Sequence, residues 1–126
     1  KFGYNYNQNI DYNVLPIGLT HLTFGHDFNQ PINKGVLLNG VKHLTFVNNF
    51  NQPIEKDVLP SGVTHLTFGR DFNQPIEKDV LPSGLTHLTV DRGYTETITK
   101  YKLSFHDSID VTIGEYEQTE YSDDWE

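Results

Sequence analysis

The sequence predicts a mainly β fold, an open solenoid with one short parallel strand per 22-residue repeat. Its convex side should be irregular or a single helical turn, and a β cap should close the C-terminal end. Three observations carry this. Phe28, Phe50 and Phe72 each open the tetrapeptide Phe-Asn-Gln-Pro at a constant spacing of 22. Segments 50–71 and 72–93 differ only at Val63/Leu85, Phe68/Val90, Gly69/Asp91 and Asp71/Gly93. The phase also extends outward: Tyr6-Asn7-Gln8-Asn9-Ile10 matches Phe28-Asn29-Gln30-Pro31-Ile32, and Tyr94, Ile98 and Leu103 match Phe72, Ile76 and Leu81.

Each repeat reads in two halves. In His65-Leu66-Thr67-Phe68 the apolar positions alternate with period two, which makes a strand whose Leu and Phe face inward and whose His and Thr face out. The run from Pro53 to Pro60 has room for about one turn of 3₁₀ or α helix, since Pro53 needs no N–H at a helix start and Pro60 ends it. Gly62, like Gly18, Gly40 and Gly84, is expected to permit the bend into the next strand.

Stacked repeats turn each position into a column. The expected core columns are Leu22/Leu44/Leu66/Leu88, Phe24/Phe46/Phe68/Val90, Ile10/Ile32/Ile54/Ile76, Val14/Val36/Val58/Val80 and Leu15/Leu37/Leu59/Leu81, with stacked rings at Tyr6/Phe28/Phe50/Phe72. The amides of Asn7, Asn29, Asn51 and Asn73 form a structural ladder, each expected to bond the backbone of an adjacent repeat, because a buried amide is costly unless paired.

Two outward columns form the expected binding face: His21, His43, His65 and His87, and beside them Thr23, Thr45, Thr67 and Thr89, both on the exposed side of the sheet. Such imidazoles could bind a transition metal, meet an acidic partner when protonated, sense pH, or be surface residues repeated with the rest. A flat row closes a tetrahedral site poorly, so no metal is expected, and partner contact is the favoured use.

Composition excludes several classes. There is no Cys, hence no disulfide and no thiolate metal site. No run approaches the ~20 apolar residues of a membrane span. The net charge of -8 arises entirely beyond His106, because residues 1–106 carry nine basic and nine acidic residues. No basic patch is available for nucleic acid. The serines lie in expected turns or the tail, and Glu55/Asp57 and Glu77/Asp79 flank lysines as a solvated surface. Repetition argues against a unique catalytic site, so neither an enzyme nor a cofactor is expected.

The division expected is a repeat solenoid over 1–98, capping strands over 99–114 and an acidic tail over 115–126 that carries Tyr116, Tyr121 and Trp125. Within the cap, Tyr101–Phe105 and Ile109–Ile113 both alternate and read as strands. Residue 1 is a lysine and Phe2 falls at the end of a repeat strand, so the first turn reads as incomplete and the sequence as a piece of a longer protein.

The segments Phe50-Asn51-Gln52-Pro53-Ile54 and Leu59-Pro60-Ser61-Gly62-Val63-Thr64-His65-Leu66-Thr67-Phe68 resemble the FNIP repeat, a relative of the leucine-rich repeat. The resemblance spans about residues 2 to 98, with Asn9, Leu38 and Asn39 as small departures. It implies a curved, leucine-rich-repeat-like solenoid used in protein–protein interaction, of the kind found in amoebae and their giant viruses, with a cytoplasmic or virion location. Members joined to an F-box would recognise substrates for ubiquitylation. No F-box is visible here, so that role would rest on sequence upstream. A structural component that self-associates end to end is the alternative.

Overall fold

The computed structural model describes residues 1–114. Five strands form one parallel sheet in sequence order: β1 (His21–Phe24), β2 (His43–Phe46), β3 (His65–Thr67), β4 (His87–Asp91) and β5 (Asp110–Gly114). The register has no stagger: His21 pairs with His43, His43 with His65, and His65 with His87. Each repeat therefore sits on its neighbour, and sequence columns become physical columns.

The core follows from that register. Leu22, Leu44, Leu66 and Leu88 are buried beneath the sheet, as are Phe24, Phe46, Phe68 and Val90. Phe24 and Phe46 stack with centroids 5.1 Å apart, and Phe28, Phe50 and Phe72 follow at 6.0 Å intervals. The two ring columns also touch each other, with Phe46 and Phe50 4.1 Å apart. A further core column, Leu19/Val41/Val63/Leu85, escaped the sequence reading; its last three members are buried and Leu19 packs against them. Val14 departs from its column: it is 54% exposed where Val36 is 2%.

The convex side is mostly irregular. Backbone bonds from Val36 to Asn33, Val58 to Glu55 and Val80 to Glu77 close one turn in each of three successive repeats. Only the last becomes a 3₁₀ helix, at Lys78–Val80. In the earlier copies the third turn residue enters the left-handed region, at Asn13 (φ 66), Gly35 (φ 84) and Asp57 (φ 72). Asn, Gly and Asp are the types that tolerate it, and it ends the turn before a helix can propagate. The glycine reading needs correction at Gly62, which has no positive φ. A Cβ there would lie 2.6 Å from the Asn39 carbonyl oxygen, so close approach of the chain requires it.

The cap differs from expectation in one half. β5 pairs with β4 in register, Leu88 against Val111 and Thr89 against Thr112. Tyr101–Phe105, however, is not a strand. Helix α1 (Tyr94–Tyr101) ends there, and Lys102 turns the chain with φ 54 while its N–H caps the last carbonyls. The helix exists because this turn lacks the Asn, Gln and Pro of the earlier repeats, and Tyr94, Ile98 and Tyr101 fall at helical spacing. Tyr94 stacks on Phe72 at 5.7 Å, and its hydroxyl donates to the Gln74 carbonyl at 2.6 Å, which closes the ring column. Burial raises the Tyr94 pKa well above the ordinary phenol value. The stretch read as an acidic tail, 115–126, lies outside the described residues.

Candidate interaction face

Strand pleating sends His and Thr to the side opposite Leu and Phe. The rings of His21, His43, His65 and His87 consequently stack face to face, with centroids 4.2, 4.3 and 4.3 Å apart and planes within 18° of parallel. His21 and His87 are exposed; His43 and His65 are half-buried between their neighbours. Asp110 takes the place of a fifth histidine, its Oδ2 4.0 Å from His87 Nε2.

The threonine column runs beside the rings, and Thr112 of β5 extends it by one rung. Here the expectation of exposed side chains needs correction. Thr45 is half-buried, not exposed, and so are Thr23, Thr67 and Thr89. The cause is the zero-stagger register. Thr45 lies between Thr23 on β1 and Thr67 on β3, at strand spacings of about 4.8 Å, so its neighbours cover its flanks and leave its tip to solvent. Among the described residues, the Thr45 side chain makes no hydrogen bond within the protein. What Thr45 offers a partner is therefore a hydroxyl and methyl tip in a shallow row, not a projecting side chain.

The threonines that orient the imidazoles belong to another column, which sequence reasoning missed. Thr20, Thr64 and Thr86 stand just before their strands and place Oγ1 3.0, 2.8 and 2.8 Å from Nδ1 of the following histidine. Their signal was position, directly before each strand histidine. The hydroxyls of Thr64 and Thr86 donate to the carbonyls of Lys42 and Thr64. Each hydroxyl has one proton, so at His65 and His87 the Thr oxygen accepts from Nδ1–H and the lone pair stays on Nε2. Lys42 interrupts this column, and His43 has no such anchor. The pKa of His43 is lowered, first by its packing between neighbours and then by His21 and His65 on either side.

This geometry does not converge on a metal. Near-parallel rings aim their in-plane lone pairs in one direction, whereas zinc needs donors meeting at about 2.0–2.1 Å. Among the described residues, no group of three or more His, Cys, Asp or Glu could hold a metal ion.

The asparagine ladder runs along a partly exposed edge, not in the core. Asn7 Oδ1 accepts the Asn29 N–H at 2.9 Å, Asn29 Oδ1 the Asn51 N–H at 2.9 Å, and Asn51 Oδ1 the Asn73 N–H at 3.0 Å. Sequence reasoning also missed the glutamines: Nε2 of Gln30, Gln52 and Gln74 donates to the same Oδ1 atoms at 3.0, 3.0 and 3.1 Å. Their signal was recurrence directly after each Asn. The ladder stops at Asn73, because Thr95 and Glu96 replace the next Asn and Gln.

Three other features stand apart from the face. A polar cleft of about 520 Å³ is lined by Asn29, Asn51, Asn73, Arg70 and Glu96, and an apolar one of about 390 Å³ by Leu81, Pro82, Leu85, Phe105 and Ile109. At the turn after β1, His26 stacks on Tyr4 at 4.4 Å, meets Asp27 at 2.8 Å and Asn48 at 2.9 Å. No helix among the described residues is long and apolar enough to cross a membrane.

The family model described as FNIP Repeat matches residues 6–49, 28–71 and 50–92. The crystal structure of CroV588, a circular leucine-rich-repeat protein from a giant virus, is similar, with a TM-score of 0.77 and 43% identity. That likeness covers 90% of this chain and 16% of the other, so the chain spans a small part of its neighbour's length. No curated protein matches the chain.

Proposed function

The chain belongs to the FNIP repeat family, and on that premise we propose that it is a non-catalytic protein–protein interaction module whose binding face is the His/Thr side of the sheet. FNIP and leucine-rich repeats are typically interaction modules without catalytic function. The observation that carries the choice of face is the stacked row itself: four imidazoles and five threonines held in register on a rigid parallel sheet, with their polar edges outward. A pre-ordered surface loses little side-chain freedom on binding. Half-burial of Thr23, Thr45, Thr67 and Thr89 fits this use, since their rotamers are held by neighbouring strands while their tips meet solvent. Substrate recognition for an F-box ubiquitin ligase is one form this module would take, in the cytoplasm and through the same face.

A photo-crosslinking residue at Thr67 should capture one partner in stoichiometric yield. The same residue at Lys56, exposed on the convex side, should not. Capture from Lys56 alone, or binding untouched by His65→Ala with Thr67→Ala, would overturn the proposal.

A second reading, self-association in a structural assembly, is favoured by one observation. The first repeat exposes Tyr12 (60%), Val14 (54%) and Ile17 (97%), where later repeats carry Lys34/Lys56/Lys78 in the Tyr12 column and Asn39/Ser61/Ser83 in the Ile17 column. Light scattering across a concentration series decides it, since a constant monomer mass would exclude it.

A further inference from the structure

We propose that the His21–His43–His65–His87 row docks an acidic segment of a partner protein, binding its carboxylates as the imidazoles take up protons. This rests on the interaction-face reading above and adds the partner's chemistry.

Three observations lead there. The first is which ring edge is available. At His65 and His87 the Nδ1 proton is committed to a threonine oxygen, so protonation occurs at Nε2. Each proton taken up turns an acceptor into a charged N–H donor. The second is spacing. Cations 4.2–4.3 Å apart repel, so adjacent rungs resist charging together. An opposing line of carboxylates removes that penalty, and proton uptake and binding then reinforce each other. The third is the protein's own fifth rung. Asp110 occupies the column position of a histidine and brings a carboxylate to 4.0 Å from His87 Nε2. β5 thus displays, in strand register, the contact that an acidic segment would repeat along the row.

The charged and titratable groups on or beside this face are the four imidazoles of β1–β4, Lys42 before β2, Asp91 at the end of β4 and Asp110 on β5. No lysine or arginine stands in the His or Thr columns, so within those columns the imidazoles alone can supply positive charge.

The test uses the full chain and a fluorescent ten-residue oligo-glutamate, with anisotropy read at about pH 5.5 and about pH 7.5, where glutamate stays ionised and histidine titrates. Affinity should be about tenfold or more tighter at the lower pH. His43→Gln with His65→Gln should reduce the difference severalfold, while His26→Gln with His106→Gln should leave it intact. Circular dichroism at both pH values reports whether each variant is folded. In the unsubstituted protein, the peptide should shift the imidazole NMR signals of the row and leave those of His26 and His106 in place, which keeps the test decisive if the double variant unfolds.

Binding that ignores pH, a pH response undiminished in the double variant, or shifts confined to His26 and His106 would overturn the inference. So would equal, equally pH-dependent binding of polyphosphate or duplex DNA, which would mean general charge attraction. Capture of a partner through Thr67 without pH-dependent peptide binding would leave the interaction face standing and remove only its acidic partner. Failure of both would remove the face as well.

Discussion

Replacing Asn51 by alanine tests the lateral ladder against an internal control. Asn51 Oδ1 accepts from the Asn73 N–H at 3.0 Å and from Gln74 Nε2 at 3.1 Å. Truncation removes both bonds, and Asn73 is exposed, so water partly replaces the lost acceptor. Two bonds of about 0.5–1.5 kcal/mol each, partly compensated by solvent, give an expected loss of about 1–2 kcal/mol. The same substitution at Asn73 should cost under about 0.5 kcal/mol, because its Oδ1 accepts no bond among the described residues and its backbone N–H is untouched. Asn51→Asp retains the acceptor and should fall between the two. Urea unfolding followed by circular dichroism reads the midpoints, with the m-value checked for constancy. Equal losses at Asn51 and Asn73 would mean that the amides act through local turn propensity, and the ladder account would be wrong.

Phe50→Ala opens the middle of one ring column and its contact with Phe46 of the other, and should cost about 3–5 kcal/mol by thermal or urea unfolding; a loss below about 1 kcal/mol would show that the column does not bear on stability. Gly62→Ala places a Cβ 2.6 Å from a backbone oxygen and should destabilise by about 1–3 kcal/mol, while Gly84→Ala, whose nearest such atom is at 3.8 Å, should be neutral or mildly stabilising. His43 should take up its proton at a lower pH than an ordinary imidazole, because its folded pKa is lowered; imidazole NMR titration checks this, and His21→Gln with His65→Gln should raise it. The sign follows. Below about pH 6.5 the unfolded chain holds this proton more readily than the folded one, so the His43 contribution to stability declines as pH falls through that range.

Repetition made most of the fold legible. A period of 22 with alternating Leu and Phe positions is enough to set strand count, direction and register, since equivalent positions must stack. What escaped includes some repeated columns, among them Leu19/Val41/Val63/Leu85 and the glutamines after each Asn, and the places where the repeat changes. Alternation of Tyr101, Leu103 and Phe105 suggested a strand, but Tyr94, Ile98 and Tyr101 carry the helical period, and loss of the proline let the helix run. The convex turn was ambiguous because one hydrogen-bonded turn precedes either a left-handed exit, at Asp57, or a 3₁₀ helix, at Lys78–Val80. The His and Thr columns were visible as columns. Their geometry was not, because ring stacking and the Thr–imidazole bonds depend on rotamers that spacing does not reveal. Alternation likewise says which side of the sheet Thr45 takes, but not how far its neighbours on β1 and β3 cover it.

A surface made of identical rungs has no address along its length, so any directional partner must read the departures. On this face they concentrate at two points. Lys42 replaces the threonine beside His43, which leaves that imidazole without the anchor that His21, His65 and His87 possess. Asp110 ends the row with a charge of opposite sign. A partner that runs across the strands therefore meets an unanchored ring near one end and a carboxylate at the other. Crowding disfavours the charged form of His43, and Asp110 sets a carboxylate 4.0 Å from His87 Nε2 at the far end of the row. The two ends of the row thus differ, and an acidic segment should bind in one orientation. Exchanging the two marks by Lys42→Thr with Asp110→His would make the row uniform, and an acidic peptide bearing a spin label at one end should then lose its single preferred pattern of NMR line broadening. A single pattern that persists in that variant would place the source of direction elsewhere.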